Sequence, residues 1–399
     1  MFLRAELLAL ASQEGANFSV LCGRFGISRK TGYKWLRRFE RDGSLGLADR
    51  SRRPQRSPRQ TPCRVESLVL SVRDKHPVWG GRKIRARLLA QRHRDVPSAS
   101  TITEILRRHG CLCPEESLKH KPMQRFERSA PNDLWQMDFK GDFALGNGKR
   151  CHPLTVLDDH SRYSICLHAC GNQRYGTVRQ QLTALFRRYG LPQEMLMDNG
   201  TPWGVPHRLG GGYTRLTVWL LRLSVRVCHS RPRHPQTHGK EERFHRTLKA
   251  ELLRDSWYRT LGAAQREFDP WRQMYNFERP HEALNMNVPA SRYQPSHRAM
   301  PDRLPSLNYA SGVLTRRVHA MGQVYVDGRI LKLSDAFAGD RVGLRLTRTD
   351  GVYDVLYGSF CIGRADLRGA RRGKTAEVRL RSLRSLQRTS AVPEVPCEP

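Results

Sequence analysis

In Leu134-Trp135-Gln136-Met137-Asp138-Phe139 a single carboxylate interrupts a strand-like, mostly apolar run. A charge in such a strand is costly to bury unless a cation compensates it. The strand-like run extends to Phe143, Gly146-Asn147-Gly148 offers a hairpin turn, and 154–157 and 163–167 continue an antiparallel meander. A helix follows, with Val178, Leu182, Leu185 and Phe186 on one face and Gly190 and Pro192 closing it. The next strand, 194–197, ends at Asp198-Asn199-Gly200, at the carboxyl end where α/β sheets place ligands. Three strands, a crossover helix and a further strand predict an α/β sheet carrying two acids.

A third acid stands downstream. After the loop Arg231-Pro232-Arg233-His234-Pro235-Gln236-Thr237-His238-Gly239, a helix opens with Glu241 and Glu242. Phe244, Leu248 and Leu252 mark its apolar stripe, while Glu242, Arg246 and Lys249 share another face at i, i+4 and i+7. Neighbouring helix residues point about 100° apart, so only one of the two glutamates can face a given metal site. Helix geometry turns Glu241 towards the sheet, whereas the face shared with Arg246 and Lys249 favours Glu242. Taken singly, Asp-Asn-Gly is an ordinary turn and a first-turn Glu ordinary dipole compensation. Together, Asp138, Asp198 and Glu242 suit phosphodiester chemistry with two metal ions, in which a few carboxylates hold Mg²⁺ and water and phosphate oxygens complete its shell. Arg231, Arg233, Arg246 and Lys249 are candidate phosphate contacts; for the last two the alternative is a solvated helix face. Asp158 and Asp159 read as structural, capping the turn before Tyr163.

The flanking regions separate on composition. Residues 1–45 carry helix-turn-helix grammar: a short helix, the turn Phe25-Gly26-Ile27, Ser28 as N-cap, then a helix bearing Arg29, Lys30, Lys34 and Arg37. Residues 46–62 are a basic, Pro-containing linker. Residues 63–112 form a second helical block, with Ile84, Leu88 and Leu89 on one stripe and Ile102, Ile105 and Leu106 on another. It reads either as a second helix-turn-helix or as a helical spacer. A linker, 113–131, leads to the core at 132–295. Residues 312–368 are β-rich, with a hairpin about Asp327-Gly328, and suggest a small barrel. The Arg-, Ser- and Pro-rich 369–399 reads as a disordered tail.

With 70 Lys plus Arg against 37 Asp plus Glu, the formal charge is +33. Such an excess is most easily tolerated against a polyanion, and double-stranded DNA is the first candidate. No apolar run approaches the ~20 residues of a spanning helix, and Met1 to Leu10 lacks a signal-peptide pattern, so a cytoplasmic, nucleoid-associated protein is expected. His109, Cys111 and Cys113 lack a second ligand pair nearby, so reduced structural cysteines are expected rather than a zinc module.

The segments Trp135-Gln136-Met137-Asp138-Phe139, Leu157-Asp158-Asp159-His160-Ser161-Arg162-Tyr163, Met197-Asp198-Asn199-Gly200, His234 to Lys249 and Tyr275 to Leu284 together resemble the catalytic core of bacterial insertion-sequence transposases of the Asp-Asp-Glu class, within the retroviral-integrase superfamily. The resemblance covers about two-fifths of the chain. It implies a multidomain protein: N-terminal all-α helix-turn-helix units, a ribonuclease-H-like α/β core and a small C-terminal β-barrel. It further implies two Mg²⁺ ions (Mn²⁺ substituting), metal-dependent cleavage and strand transfer, recognition of terminal inverted repeats in transposon ends, insertion into target DNA, and a homo-oligomeric synaptic complex. Its motif sets the glutamate directly before Arg243-Phe244, which favours Glu242. The Asp198-to-Glu242 interval is wider than the family's, with an insert around Leu209-Gly210-Gly211-Gly212-Tyr213. A DNA-binding regulator with an inactive core and a nuclease with other substrates are the rival readings; metal-dependent cleavage of element ends separates them.

Overall fold

A computed structural model describes residues 2–49, 61–112, 127–198, 200, 203, 212–229, 239–254, 257–383 and 386–388. They form two compact units, Met1–Thr61 and Pro62–Pro399. In the first, α1 (Phe2–Ala11), α2 (Phe18–Arg24) and α3 (Arg29–Asp42) surround a small core that includes Leu7, Leu8 and Cys22. The Ser28 hydroxyl caps α3 by accepting from the Thr31 N–H at 3.2 Å, and Gly26 makes the preceding turn at φ +64°. A Cβ at Gly32 would stand 2.5 Å from Cys22 Sγ, so only glycine lets α2 and α3 approach this closely.

The second unit begins with α4 (Cys63–Lys75), α5 (Gly81–Ala90) and α6 (Ala99–Arg108), packed around Val69, Trp79, Ile84, Leu88, Ile102, Ile105 and Leu106. Ser98 caps α6 as Ser28 caps α3. Leu89, expected on the buried stripe, is instead exposed, because the stripe follows the i, i+4 spacing of Ile84 and Leu88. From α5, Arg87 donates to Glu278 at 2.5 Å, tying this block to the core.

The core sheet contains β1 (Leu134–Phe139), β2 (Phe143–Ala144), β3 (Arg150–Asp158), β4 (Ser164–Cys170), β5 (Glu194–Met197) and β6 (Arg226–His229). Its order is β2-β3-β1-β5-β6, with β4 also on β3; β1, β3 and β4 are antiparallel neighbours, whereas β5 and β6 run parallel to β1. One face is covered by α7 (Tyr175–Tyr189) and α8 (Arg215–Arg222), through Val178, Leu182, Phe186 and Leu220. The other is covered by α9 (Gly239–Leu248) and α10 (Leu261–Phe277), through Phe244, Leu248, Phe268 and Tyr275. A π-helical turn, Lys249–Leu253, ends α9 and carries Glu251 into a buried pair with Arg279 (Nε to Oε1 2.9 Å; side chains 6% and 8% exposed). Truncating one partner strands the other's charge. Arg279→Met should therefore cost about 3–5 kcal/mol in urea unfolding; a loss below ~1 kcal/mol would show that the pair is not what secures this corner.

The C-terminal sheet comprises β7 (Leu314–Arg317), β8 (Gln323–Val326), β9 (Arg329–Lys332), β10 (Arg341–Leu346), β11 (Val352–Tyr357), β12 (Phe360–Asp366), β13 (Thr375–Leu380) and β14 (Gln387–Arg388). Its order, β7-β10-β11-β12-β13-β9-β8, ends on two strands consecutive in the chain, so the sheet curls into a nearly closed barrel. The β8–β9 hairpin turns at Asp327-Gly328, both at positive φ. Order does not stop at 368 as the composition suggested. Ala376 faces inward on β13, and Leu383 and Leu386 are buried beyond it, a pattern that surrounding arginines hide.

Core and barrel share one continuous hydrophobic core. Tyr213, which closes the glycine-rich insert, packs on Phe337 and donates its hydroxyl to the carbonyl of Arg381 at 3.0 Å. Arg222 pairs with Asp340 at 2.8 Å beside it. Leu209, Gly210 and Gly211 lie outside the described residues.

Candidate active site

Strand register brings the two aspartates together. Gln136 stands opposite Leu196 in the parallel β1–β5 pair, so two residues further on Asp138 comes level with Asp198. Asp138 Oδ1 accepts from the Phe139 N–H at 2.8 Å; Asp198 Oδ1 accepts from the Gly200 N–H at 2.9 Å. Burial foremost, and then the charge of Asp198, push the Asp138 carboxyl up to about 6, against the opposing pull of the Phe139 N–H. Two carboxylates held at neighbouring strand ends, one of them strained by burial, form a site that a cation would relieve.

On the other side of β1, Thr155 of β3 is the register partner of Asp138. Its single hydroxyl proton can serve the Asp138 carbonyl at 3.0 Å or Glu241 Oε2 at 3.4 Å, and the oxygen lies 2.8 Å from His245 Nε2. His245 Nδ1 lies 3.9 Å from Asp138 Oδ2, and its Nε2 lies 3.6 Å from Glu241 Oε2. Burial, reinforced by the Asp138 charge, raises the Glu241 carboxyl well above the usual range. The amino end of α9 is held by Lys240, whose ammonium contacts Asp159 Oδ1 at 2.5 Å and donates to the Asp159 carbonyl at 3.1 Å.

Glu241 is thus the buried glutamate beside Asp138, whereas Glu242, Arg246 and Lys249 are exposed together on the outer face of α9. Among the described residues, no three His, Cys, Asp or Glu side chains are already gathered as a metal cage. Asp158 and Asp159 accept from protein donors (Ser161 and Asn132 N–H groups; Gln136 Nε2 and the Arg128 N–H) and hold the β3–β4 turn. Arg29, Lys30, Lys34 and Arg37 are exposed on α3; Arg231 and Arg233 lie outside the described residues. The residues that sequence reasoning missed are Thr155, Lys240 and His245. A signal existed for His245, one helical turn after Glu241, but not for Thr155, whose role depends on strand register.

Residues 128–235 and 223–289 match the family models of the integrase core domain, so the fold is that of an integrase-type core. Residues 3–55 match a helix-turn-helix domain, 31–106 a homeodomain-like domain, and 313–372 the C-terminal domain of IS481 family transposases. The chain is 31% identical over 173 residues to the IS407 31.7 kDa protein of Burkholderia multivorans, covering 43% of this chain and 59% of that one. It is 30% identical to the IS476 39.2 kDa protein of Xanthomonas euvesicatoria, covering 43% and 49%. The match to the IS136 protein of Agrobacterium fabrum, also 30% identical, covers 37% of this chain and 76% of that one. The chain belongs to the bacterial insertion-element transposases built on an integrase core. It spans only about half of the first two relatives. The catalytic core of HTLV-2 integrase, solved with magnesium, aligns over 42% of this chain and 99% of its own at 13% identity and a TM-score of 0.32, a likeness too slight to bear on the site. Among the described residues no helix is long and apolar enough to cross a membrane.

Proposed function

We propose that this transposase binds the terminal inverted repeats of its element and cuts and joins DNA with two Mg²⁺ ions, or Mn²⁺ in their place, held by Asp138, Asp198 and Glu242. The observation that carries the reading is the level pair Asp138–Asp198, with Asp138 raised to about 6 by burial and its neighbour's charge. The donor set fits hard divalent cations, which take carboxylate, water and phosphate oxygens. When bound, such ions supply Lewis acidity at phosphorus and make a water or sugar hydroxyl a competent nucleophile. The chain's own part is positional. The two strand ends hold Asp138 and Asp198 on a rigid sheet, and the first turn of α9 presents Glu242 beside Arg246, which meets a phosphate of the incoming strand. Lys249 extends that contact along the backbone. Arg231 and Arg233 act likewise in the preceding loop. The enzyme works as a homo-oligomer pairing two ends, on nucleoid DNA in the cytoplasm. The direct test is incubation of purified protein and Mg²⁺ with labelled element ends. Chelator-sensitive nicking and joining are expected, and binding without either would leave a DNA-binding regulator.

Base readout falls to α3 in this reading, through Arg29, Lys30, Lys34 and Arg37. Deleting residues 1–61 should cost end-specific binding far more than binding to random DNA. Lys34→Ala alone should weaken binding to element ends and lower the slope of log K against log salt by no more than about 1, the share of one charge. A truncated protein that still prefers element ends in competition would move recognition to the second helical block.

A further inference from the structure

We propose that Glu241 is a positioning residue for Asp138, acting through Thr155 and His245; the inference rests on the reading of Asp138 as a metal-holding acid. Glu241 is 1% exposed, and its Oε1 has no hydrogen-bond partner among the described residues. A site that served packing alone would be filled more stably by an apolar chain, as Phe244 and Leu248 fill the same side of α9. What the carboxyl does touch leads directly to Asp138. One helical turn along, His245 has one ring nitrogen 3.6 Å from Glu241 and the other 3.9 Å from the Asp138 carboxylate. Thr155 Oγ1, 2.8 Å from the same imidazole, also reaches the Asp138 carbonyl and Glu241. The imidazole therefore stands between the two carboxyl groups, the hydroxyl ties Glu241 to the main chain of Asp138, and Glu241 is the rear wall of that cluster. Outer groups of this kind orient a metal-holding carboxylate, and losing one typically weakens metal binding 10- to 100-fold.

The role differs from that of Glu242, which lies on the exposed face. It also differs from a structural role, because removing a buried, incompletely satisfied acid should not lower the melting temperature. The test is Mn²⁺ binding to full-length protein by calorimetry, with melting temperature recorded alongside, for wild type, Glu241→Gln, Glu241→Leu, Thr155→Val and Asp138→Asn. Glu241→Leu should weaken Mn²⁺ binding 10- to 100-fold at an unchanged or higher melting temperature. Thr155→Val should weaken it as much while melting lower, since it strands the buried Asp138 carbonyl and the His245 ring nitrogen. Glu241→Gln, which retains hydrogen-bonding atoms towards Thr155 and His245, should lose less than 10-fold. Asp138→Asn should abolish the measured binding. Wild-type affinity in both Thr155→Val and Glu241→Leu, or in Thr155→Val alone should the leucine variant not fold, would overturn the inference and leave the Asp138 site intact. Loss in Glu241→Gln as complete as in Asp138→Asn would overturn it differently, by making Glu241 itself a ligand. Wild-type Mn²⁺ binding in Asp138→Asn would instead remove the metal site, and the inference with it.

Discussion

Asp138→Asn should leave binding to element ends nearly intact while cutting cleavage and joining to below about one-thousandth of wild type, the scale of several kcal/mol of lost transition-state stabilisation. An amide keeps the shape of the carboxylate but not the charge, and Asp198→Asn should behave alike. Robust Mg²⁺-dependent joining by either variant would remove that residue from the site. The same substitution has a second, opposite effect on stability. Metal-free Asp138 titrates at about 6 in the folded protein, raised from an ordinary 3.8. A raised carboxyl pKa costs nothing below about pH 3.8, where both states are protonated. The cost then grows until pH 6 and stays constant above it. In chelator at pH 7, Asp138→Asn should therefore be the more stable protein, by on the order of 1–2 kcal/mol once partial exposure is allowed for. The gain should vanish at pH 3.5. A variant melting below wild type at pH 7 would show that the charge is not strained by its surroundings.

The second large effect separates the adjacent glutamates. Glu242→Gln should lose strand transfer completely, whereas Glu241→Gln should keep measurable activity in the same Mg²⁺ assay. The expectation follows from their different exposures: Glu242 stands with Arg246 and Lys249 on the solvent-exposed side of the helix, and Glu241 is enclosed beside Thr155 and His245. The reverse pattern would transfer the third ligand to Glu241 and place the DNA-facing side of α9 elsewhere. Equal loss in both would mean that the first turn of α9 works as a unit whose members cannot be assigned singly.

Much of this arrangement is legible in the residues themselves. Asp138 is conspicuous because its strand neighbours are apolar, and Asp198 because a turn signal follows it directly. The helical period alone places Glu241 inward and Glu242 outward. Thr155 is not legible, since nothing local marks which β3 residue will stand opposite Asp138; that depends on a register set by the whole sheet. The barrel's last strands were hidden for another reason. On β13 the inward alternation is Ala376, Val378 and Leu380, a short pattern among arginines whose charge suggests a solvated tail. The buried Glu251–Arg279 pair was equally invisible, because a π-helical turn departs from the 3.6-residue period that sequence reading assumes.

Tyr213 gives the insert a mechanical meaning. By packing its ring on Phe337 and handing its hydroxyl to the Arg381 carbonyl, it adds to the Arg222–Asp340 pair and the shared apolar core in welding two modules that the chain also links through residues 296–311. A tethered module searches for its ligand at an effective concentration set by tether length, whereas a welded one arrives already aimed. The barrel's arginines thus behave as a jig of constant dimensions relative to the acid pair, indifferent to modest lengthening of the connecting chain. Tyr213→Ala should loosen the jig without unhinging it: a thermal melt should show one transition at a lower temperature, because the Arg222–Asp340 pair and the shared apolar core still join the modules.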